Sequence, residues 1–229
     1  MDFIKPHYPD AITLTDLEKI ILSDLDKNDF TLSKTVWGTS ICSDEVNNSF
    51  NIFSKHFVGP GPFRFGGISG LPFTGKTGIF AFASHIPKNG GAFILYGPHI
   101  GISDQGVLGE LLRQRQSDNT TCCGSLVSGL KVISSDEDIK TDPVHDLQQH
   151  VVVRMLESNK EDILNVPDTI KKATDVTYNN IKKEILWLVK NSTNIPSRAK
   201  IYLMGGILIN TDFDKEDWFD VRDTELIQF

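Results

Sequence analysis

The stretch Gly70-Leu71-Pro72-Phe73-Thr74-Gly75-Lys76-Thr77 spells G-x-x-x-x-G-K-[ST]. In a phosphate-binding loop of that pattern, backbone N–H groups and the lysine cradle phosphates at a helix N-terminus. The chemistry needs a strand before the loop and a helix after it. Here Phe63 to Ser69 is too glycine-rich for a central strand, and Gly78 to Ala83 looks extended. Asp212, after Ile207-Leu208-Ile209, is a weak magnesium partner. A turn packed near a site is the better reading, with a P-loop nucleotide hydrolase as the minor alternative.

A second set is Cys42, His99 and Cys123, with Asp44 two residues beyond Cys42. Thiolate and imidazole are zinc's preferred ligands, and three protein ligands leave a fourth position for water. His99 follows a buried strand, and Cys123 opens a glycine-led helix whose N-terminus favours a thiolate. Their separations match no zinc-finger spacing. On residue types alone, two buried cysteines and a hydrogen-bonded turn histidine are the simpler reading.

The elements that must position these residues follow from the apolar pattern. Leu14, Leu17, Ile21 and Leu25 recur at helical spacing, with Thr15 and Glu18 spaced as a capping box. Lys34 to Phe53 forms a second helical or extended piece, its tail carrying Val46, Phe50 and Phe53. Gly78 to Ile86 and Ala92 to Tyr96 read as buried strands joined by a turn over 87–91. Val107, Leu108, Leu111 and Leu112 make one helical stripe, and Leu126, Val127, Leu130 and Ile133 another. The acidic stretch 134–142 reads as an exposed loop. Asp142-Pro143 starts a helix with Leu147, Val151 and Met155 beneath it. Residues 165–191 form a long helix, Asn194 to Ser197 break it, and Lys200 to Asn210 returns as a strand. The pattern is one α/β domain.

The 229 residues carry a net charge of −7, which argues against nucleic-acid binding, since that needs a basic face. Three cysteines, two of them adjacent, make no disulfide framework, so a reduced, cytoplasmic setting is expected. The first residues lack the basic start and apolar run of a secretory signal, although a plastid address could have been removed. The apolar stretch Ile201 to Ile209 is well short of the ~20 residues a membrane span needs.

The blocks FGGISGLPFTGKTGIFAFASHIP (65–87), FILYGPHIGIS (93–103), GVLGELLRQRQ (106–116) and TCCGS (121–125) resemble the limiting-CO2-inducible protein B/C family. YLMGGILINTD (202–212) and DWFDVRD (217–223) are similar to it as well. The resemblance is dense over residues 38–133 and looser elsewhere. It implies a single β-carbonic-anhydrase-like domain with a central, mostly parallel sheet flanked by helices. Within it, 1–37 would be an N-terminal helical arm, 38–133 the zinc-site core, and 134–229 a helical region with a C-terminal strand.

By the same resemblance the chain would be a carbonic anhydrase, a lyase interconverting CO2 and bicarbonate through zinc-activated hydroxide. Zinc would be held by Cys42, His99 and Cys123, the last chosen over Cys122 because it directly precedes Gly124. Asp44 would accept the proton of the zinc-bound hydroxide and orient it toward CO2. In β-class enzymes that aspartate pairs with an arginine two residues on. Position 46 is Val46 here, so Arg64 is expected to supply the partner, ahead of Arg113 and Arg115 on their expected polar helix. His85 is the expected proton shuttle, with His56 behind it, and Phe73, Phe80 and Phe82 form core or pocket wall. If Asp44 ligated zinc itself the site would be silent, leaving a metal-binding structural homologue. A homodimer is implied, using the helices between Asp142 and Asn191, with CO2 and bicarbonate as the small-molecule partners.

Overall fold

Two strands buried along nearly their whole length set the architecture, Gly91–Tyr96 and Lys200–Asn210. Continuous apolar runs of this kind belong to strands covered on both faces, the situation of a parallel sheet. The computed structural model describes residues 3–135 and 141–229. In chain order the elements are β1 (Ile12–Thr13), α1 (Leu14–Lys27), β2 (Thr35–Ser40), β3 (Val58–Arg64), α2 (Gly75–Ala83), β4 (Gly91–Tyr96) and β5 (His99–Gly101). There follow β6 (Glu110–Leu111), β7 (Thr120–Thr121), α3 (Gly124–Ser134), α4 (Leu147–Glu157), α5 (Lys160–Leu164), α6 (Thr169–Lys190), β8 (Lys200–Asn210) and β9 (Trp218–Gln228). A 3-10 helical segment, Glu45–His56, links β2 to β3.

The main sheet runs β1-β9-β8-β4-β2-β3, and β5 also pairs with β8. Pairing is parallel from β3 through β2 and β4 to β8, and antiparallel where β9 joins β8 and β1 joins β9. Side chains alternate between the faces, as the twofold period of a strand requires. Ala92, Ile94, Tyr96, Ile201 and Leu203 meet α2, α3, α4 and α6 on one face. Trp37, Phe93, Leu95, Tyr202 and Met204 meet α1 and the 3-10 segment on the other. The result is a single α/β domain. Among the described residues, no helix is long and apolar enough to cross a membrane.

Several local expectations need correction. Gly78 to Ile86 is not a strand, because the apolar run continues helix α2. Ile79, Phe82, Ala83 and Ile86 are buried at i, i+3, i+4 and i+7, whereas Phe80 is exposed. Periodicity alone does not separate a short buried helix from a buried strand. The stripe Val107 to Leu112 is not a helix: Gly106 and Gly109 have φ of 79° and 85°, and the chain forms the β6–β7 hairpin instead. The α1 N-cap is Thr13, which accepts a bond from the Asp16 N–H, while Glu18 turns to Lys55 and His56. Asp142 accepts from the Val144 and His145 N–H groups in a turn, and α4 begins at Leu147. That helix buries Val152, Val153 and Leu156 and leaves Leu147 exposed. The acidic loop read over 134–142 falls largely on 136–140, outside the described residues.

Candidate metal centre

Parallel strands deliver their C-terminal ends to one edge of the sheet, where ligand sites of α/β folds form. Cys42 lies two residues beyond β2, and His99 opens β5, next in line after β4. Asn210 closes β8, paired with Gly101, while Cys123 occupies the N-cap position of α3. Gly97 makes the break between β4 and β5 possible, since a Cβ there would collide with the Gly206 carbonyl. At Gly70, with φ of 84°, a Cβ would press on the Gly97 carbonyl 2.5 Å away. The glycine-rich loop thus seals this end of the sheet, and its Ser69 N–H donates to Cys42 Sγ at 3.1 Å.

The ligand atoms of Cys42, His99 and Cys123 all lie within 4.8 Å of one another, and all three residues are buried. The two sulfurs are 4.0 Å apart. His99 Nδ1 is 2.8 Å from Asn210 Oδ1, whereas His99 Nε2 is buried with no hydrogen-bond partner among the described residues. A buried ring nitrogen without a partner is costly in a folded protein. A soft-donor set of two thiols and an imidazole with that bare nitrogen fits Zn2+. The Cys42–Cys123 hydrogen bond holds the Cys123 thiol low and pushes the Cys42 thiol up. Burial opposes the charged His99 ring, but the neighbouring Cys122 and Cys123 sulfurs raise its pKa on balance. Cys122 lies 3.4 Å from His99 Nδ1 and 3.7 Å from Asn210 Oδ1, and with Asp44 and His99 it makes a second group whose ligand atoms lie within 4.8 Å of one another.

Asp44 caps the 3-10 segment, accepting from the Val46 N–H at 3.3 Å. Its arginine is Arg113, whose Nη2 lies 3.0 and 3.2 Å from the two carboxylate oxygens. Arg113 also binds Glu45 at 2.8 Å and reaches Thr120 Oγ1 and the Thr121 carbonyl. Burial works against its charge, but Glu45 and Asp44 raise its pKa. Arg64 is therefore not the partner: it is exposed at the end of β3, with one weak bond of 3.5 Å to Asn48. The β6–β7 hairpin, which stands where a helix is expected, carries Arg113 inward to Asp44.

His85 is exposed beyond α2, its ring 6.0 Å from that of Phe63, and makes no hydrogen bond to the cluster. His56 is bound to Glu18 at 2.7 Å on the α1 side. The P-loop lookalike does precede a helix, contrary to expectation, yet its Lys76 amine lies 4.9 Å over the Trp187 ring. Two further residues adjoin the cluster: Asn210 meets His99 Nδ1, and Asp217 accepts from Asn210 Nδ2 at 3.3 Å. A polar residue closing an apolar strand is the sequence signal for Asn210, and Asp217 opens the family-like block 217–223. A cavity of about 60 Å³ adjoins Cys42 and Asp44, lined also by Thr39, Asn47, Phe50 and Gly66. It has room for only a small guest.

Residues 11–228 match the family described as limiting CO2-inducible proteins B/C beta carbonic anhydrases. Among solved structures the chain is similar to PtLCIB4, a homolog of the limiting CO2-inducible protein LCIB, at 29% identity and TM-score 0.90. That match covers 99% of this chain and 94% of the other. LCIB itself matches at 19% identity and TM-score 0.71, covering 98% and 96%, a likeness of fold. A comparison with curated proteins finds no match.

Proposed function

The chain belongs to the limiting CO2-inducible protein B/C family of β-carbonic anhydrases, and we propose that it is a zinc-dependent carbonic anhydrase interconverting CO2 and bicarbonate. The observation that carries this reading is the buried Cys42–His99–Cys123 cluster with the bare His99 Nε2. Cys42, His99 and Cys123 would hold the metal. When bound, zinc supplies Lewis acidity that brings a water's pKa down to about 7.

The chain's own residues supply orientation. Arg113 and the Val46 N–H hold the Asp44 carboxylate from one side, leaving it to accept a proton-bearing bond from the attacking water. With that hydrogen directed to Asp44, the oxygen lone pair is free to face CO2. Phe50 and Gly66, on the wall of the small cavity, limit what can enter.

The same arginine guards against a silent state. The Asp44 carboxylate lies within 4.8 Å of the ligand atoms of His99 and Cys122, close enough to compete for the metal if released. Two bonds from Arg113 oppose that release. A second copy of the chain is the proposed partner, through the face where Val144, Leu147 and Val151 are exposed. Stopped-flow CO2 hydration by the reduced, zinc-loaded protein tests the reading. Hydration that a chelator abolishes and zinc restores supports it, and a zinc-loaded chain no faster than buffer refutes it.

A further inference from the structure

The residues behind His99 form a continuous chain of hydrogen bonds. Asp217 sits in the turn between β8 and β9. Its Oδ1 accepts from the Thr211 N–H at 3.0 Å, and its Oδ2 accepts from Ser49 Oγ at 2.8 Å and from Asn210 Nδ2 at 3.3 Å. On its other side, Asn210 Oδ1 meets His99 Nδ1 at 2.8 Å and the Cys122 thiol at 3.7 Å.

An Asn side chain has one accepting and one donating end, and hydrogen-bond partners decide which way it points. With Thr211 and Ser49 already donating to it, Asp217 acts as an acceptor, so the Asn210 NH2 group must face it. The reversed amide would set the Asn210 oxygen against the carboxylate. Asn210 Oδ1 is thereby aimed at His99, and at 2.8 Å that approach is favourable with a proton on Nδ1. The nitrogen left to face Cys42 and Cys123 is Nε2, the ring atom that is buried without a partner.

We propose that Asn210 and Asp217 are positioning residues, a two-member relay that fixes the His99 ring and presents Nε2 to the metal. The inference rests on the zinc reading above. Metal-bound histidines generally donate their second ring N–H to a partner, and losing such a partner costs roughly 10–100-fold in metal affinity. Here the partner is an amide whose direction is set by a carboxylate remote from the metal. Neither Asn210 nor Asp217 need touch substrate.

Two measurements on the reduced protein test the relay. Zinc affinity, read by competition with a chromophoric chelator, should weaken roughly 10–100-fold in Asp217→Asn and Asn210→Ala. Asp217→Asn nearly preserves shape, but its amide must turn a donor toward Thr211 or toward Asn210 and Ser49, which disorders the relay. NMR of isotope-labelled histidine in the metal-free wild-type protein should show a hydrogen-bonded proton on His99 Nδ1. This second readout requires no variant to fold. Variants that hold zinc as tightly as wild type, or a wild-type His99 with no proton on Nδ1, would overturn the relay. A wild-type chain that shows the Nδ1 proton yet has no zinc affinity would instead overturn the metal reading and leave the relay standing.

Discussion

Arg113 grips both carboxylate oxygens of Asp44, at 3.0 and 3.2 Å, across 69 residues of chain. The pair is mostly shielded, each side chain 15% exposed, so it differs from a surface ion pair of negligible worth. Val46, at the position where a β-class arginine is expected, contributes only its backbone N–H. The long-range pairing ties the β6–β7 hairpin to the segment after β2 and holds both Asp44 oxygens.

Arg113→Ala should therefore retain zinc but lose hydration. A hydrogen bond to a charged group is worth about 1.5–3 kcal/mol, which predicts a roughly 10–100-fold fall in kcat/KM. Arg64→Ala, an exposed change, should stay within about twofold of wild type. Parallel stopped-flow assays compare them, and equal losses in both variants would contradict the Arg113 pairing.

The cysteines should separate cleanly by metal content. Cys42→Ser and Cys123→Ser each remove a soft donor and should lose most bound zinc, as should His99→Ala. Cys122→Ser leaves the three ligands intact and should keep zinc near the wild-type stoichiometry. Elemental analysis after gel filtration reads this directly.

Much of the framework was legible because burial imposes it. The run Lys200 to Asn210 is apolar nearly throughout, and it is the strand at the centre of the sheet. The Cys42–His99–Cys123 trio is suggested by residue chemistry and family likeness rather than by spacing, because the sheet brings together residues far apart in sequence. Segments read least well where short apolar runs fit two periods, as in Gly78 to Ile86, or where glycine φ angles override an apolar stripe, as at Gly106 and Gly109. Arg113 follows a stripe of that second kind, and the hairpin turns it toward Asp44. Asp217 lies in a polar turn whose importance comes only from what β8 places beside it.

Stability should depend on acid through Glu18. Hydrogen bonds from Lys55 and His56 hold its carboxyl below the usual range, so the folded state binds fewer protons than the unfolded one. The stabilisation is fully present above the unfolded value of about 4.3 and disappears as pH falls through the lower folded value. Glu18→Gln should cost about 0.5–1 kcal/mol at pH 7, and the difference from wild type should close in acid. Urea melts across pH measure it.

Gly97→Ala should damage fold and site together. The added Cβ collides with the Gly206 carbonyl, and the native φ of 155° disfavours any side chain. A cost of about 2–4 kcal/mol is expected, with loss of zinc at temperatures where wild type retains it. Thermal unfolding followed alongside metal release checks both effects.

The most direct measurement is a zinc titration of the reduced, metal-free protein with CO2 hydration recorded on each sample. Activity should rise in proportion to zinc and plateau at one metal per chain, and Cys123→Ser should show neither the binding nor the rise. Full occupancy of the Cys42–His99–Cys123 site with hydration no faster than buffer would contradict the proposed function.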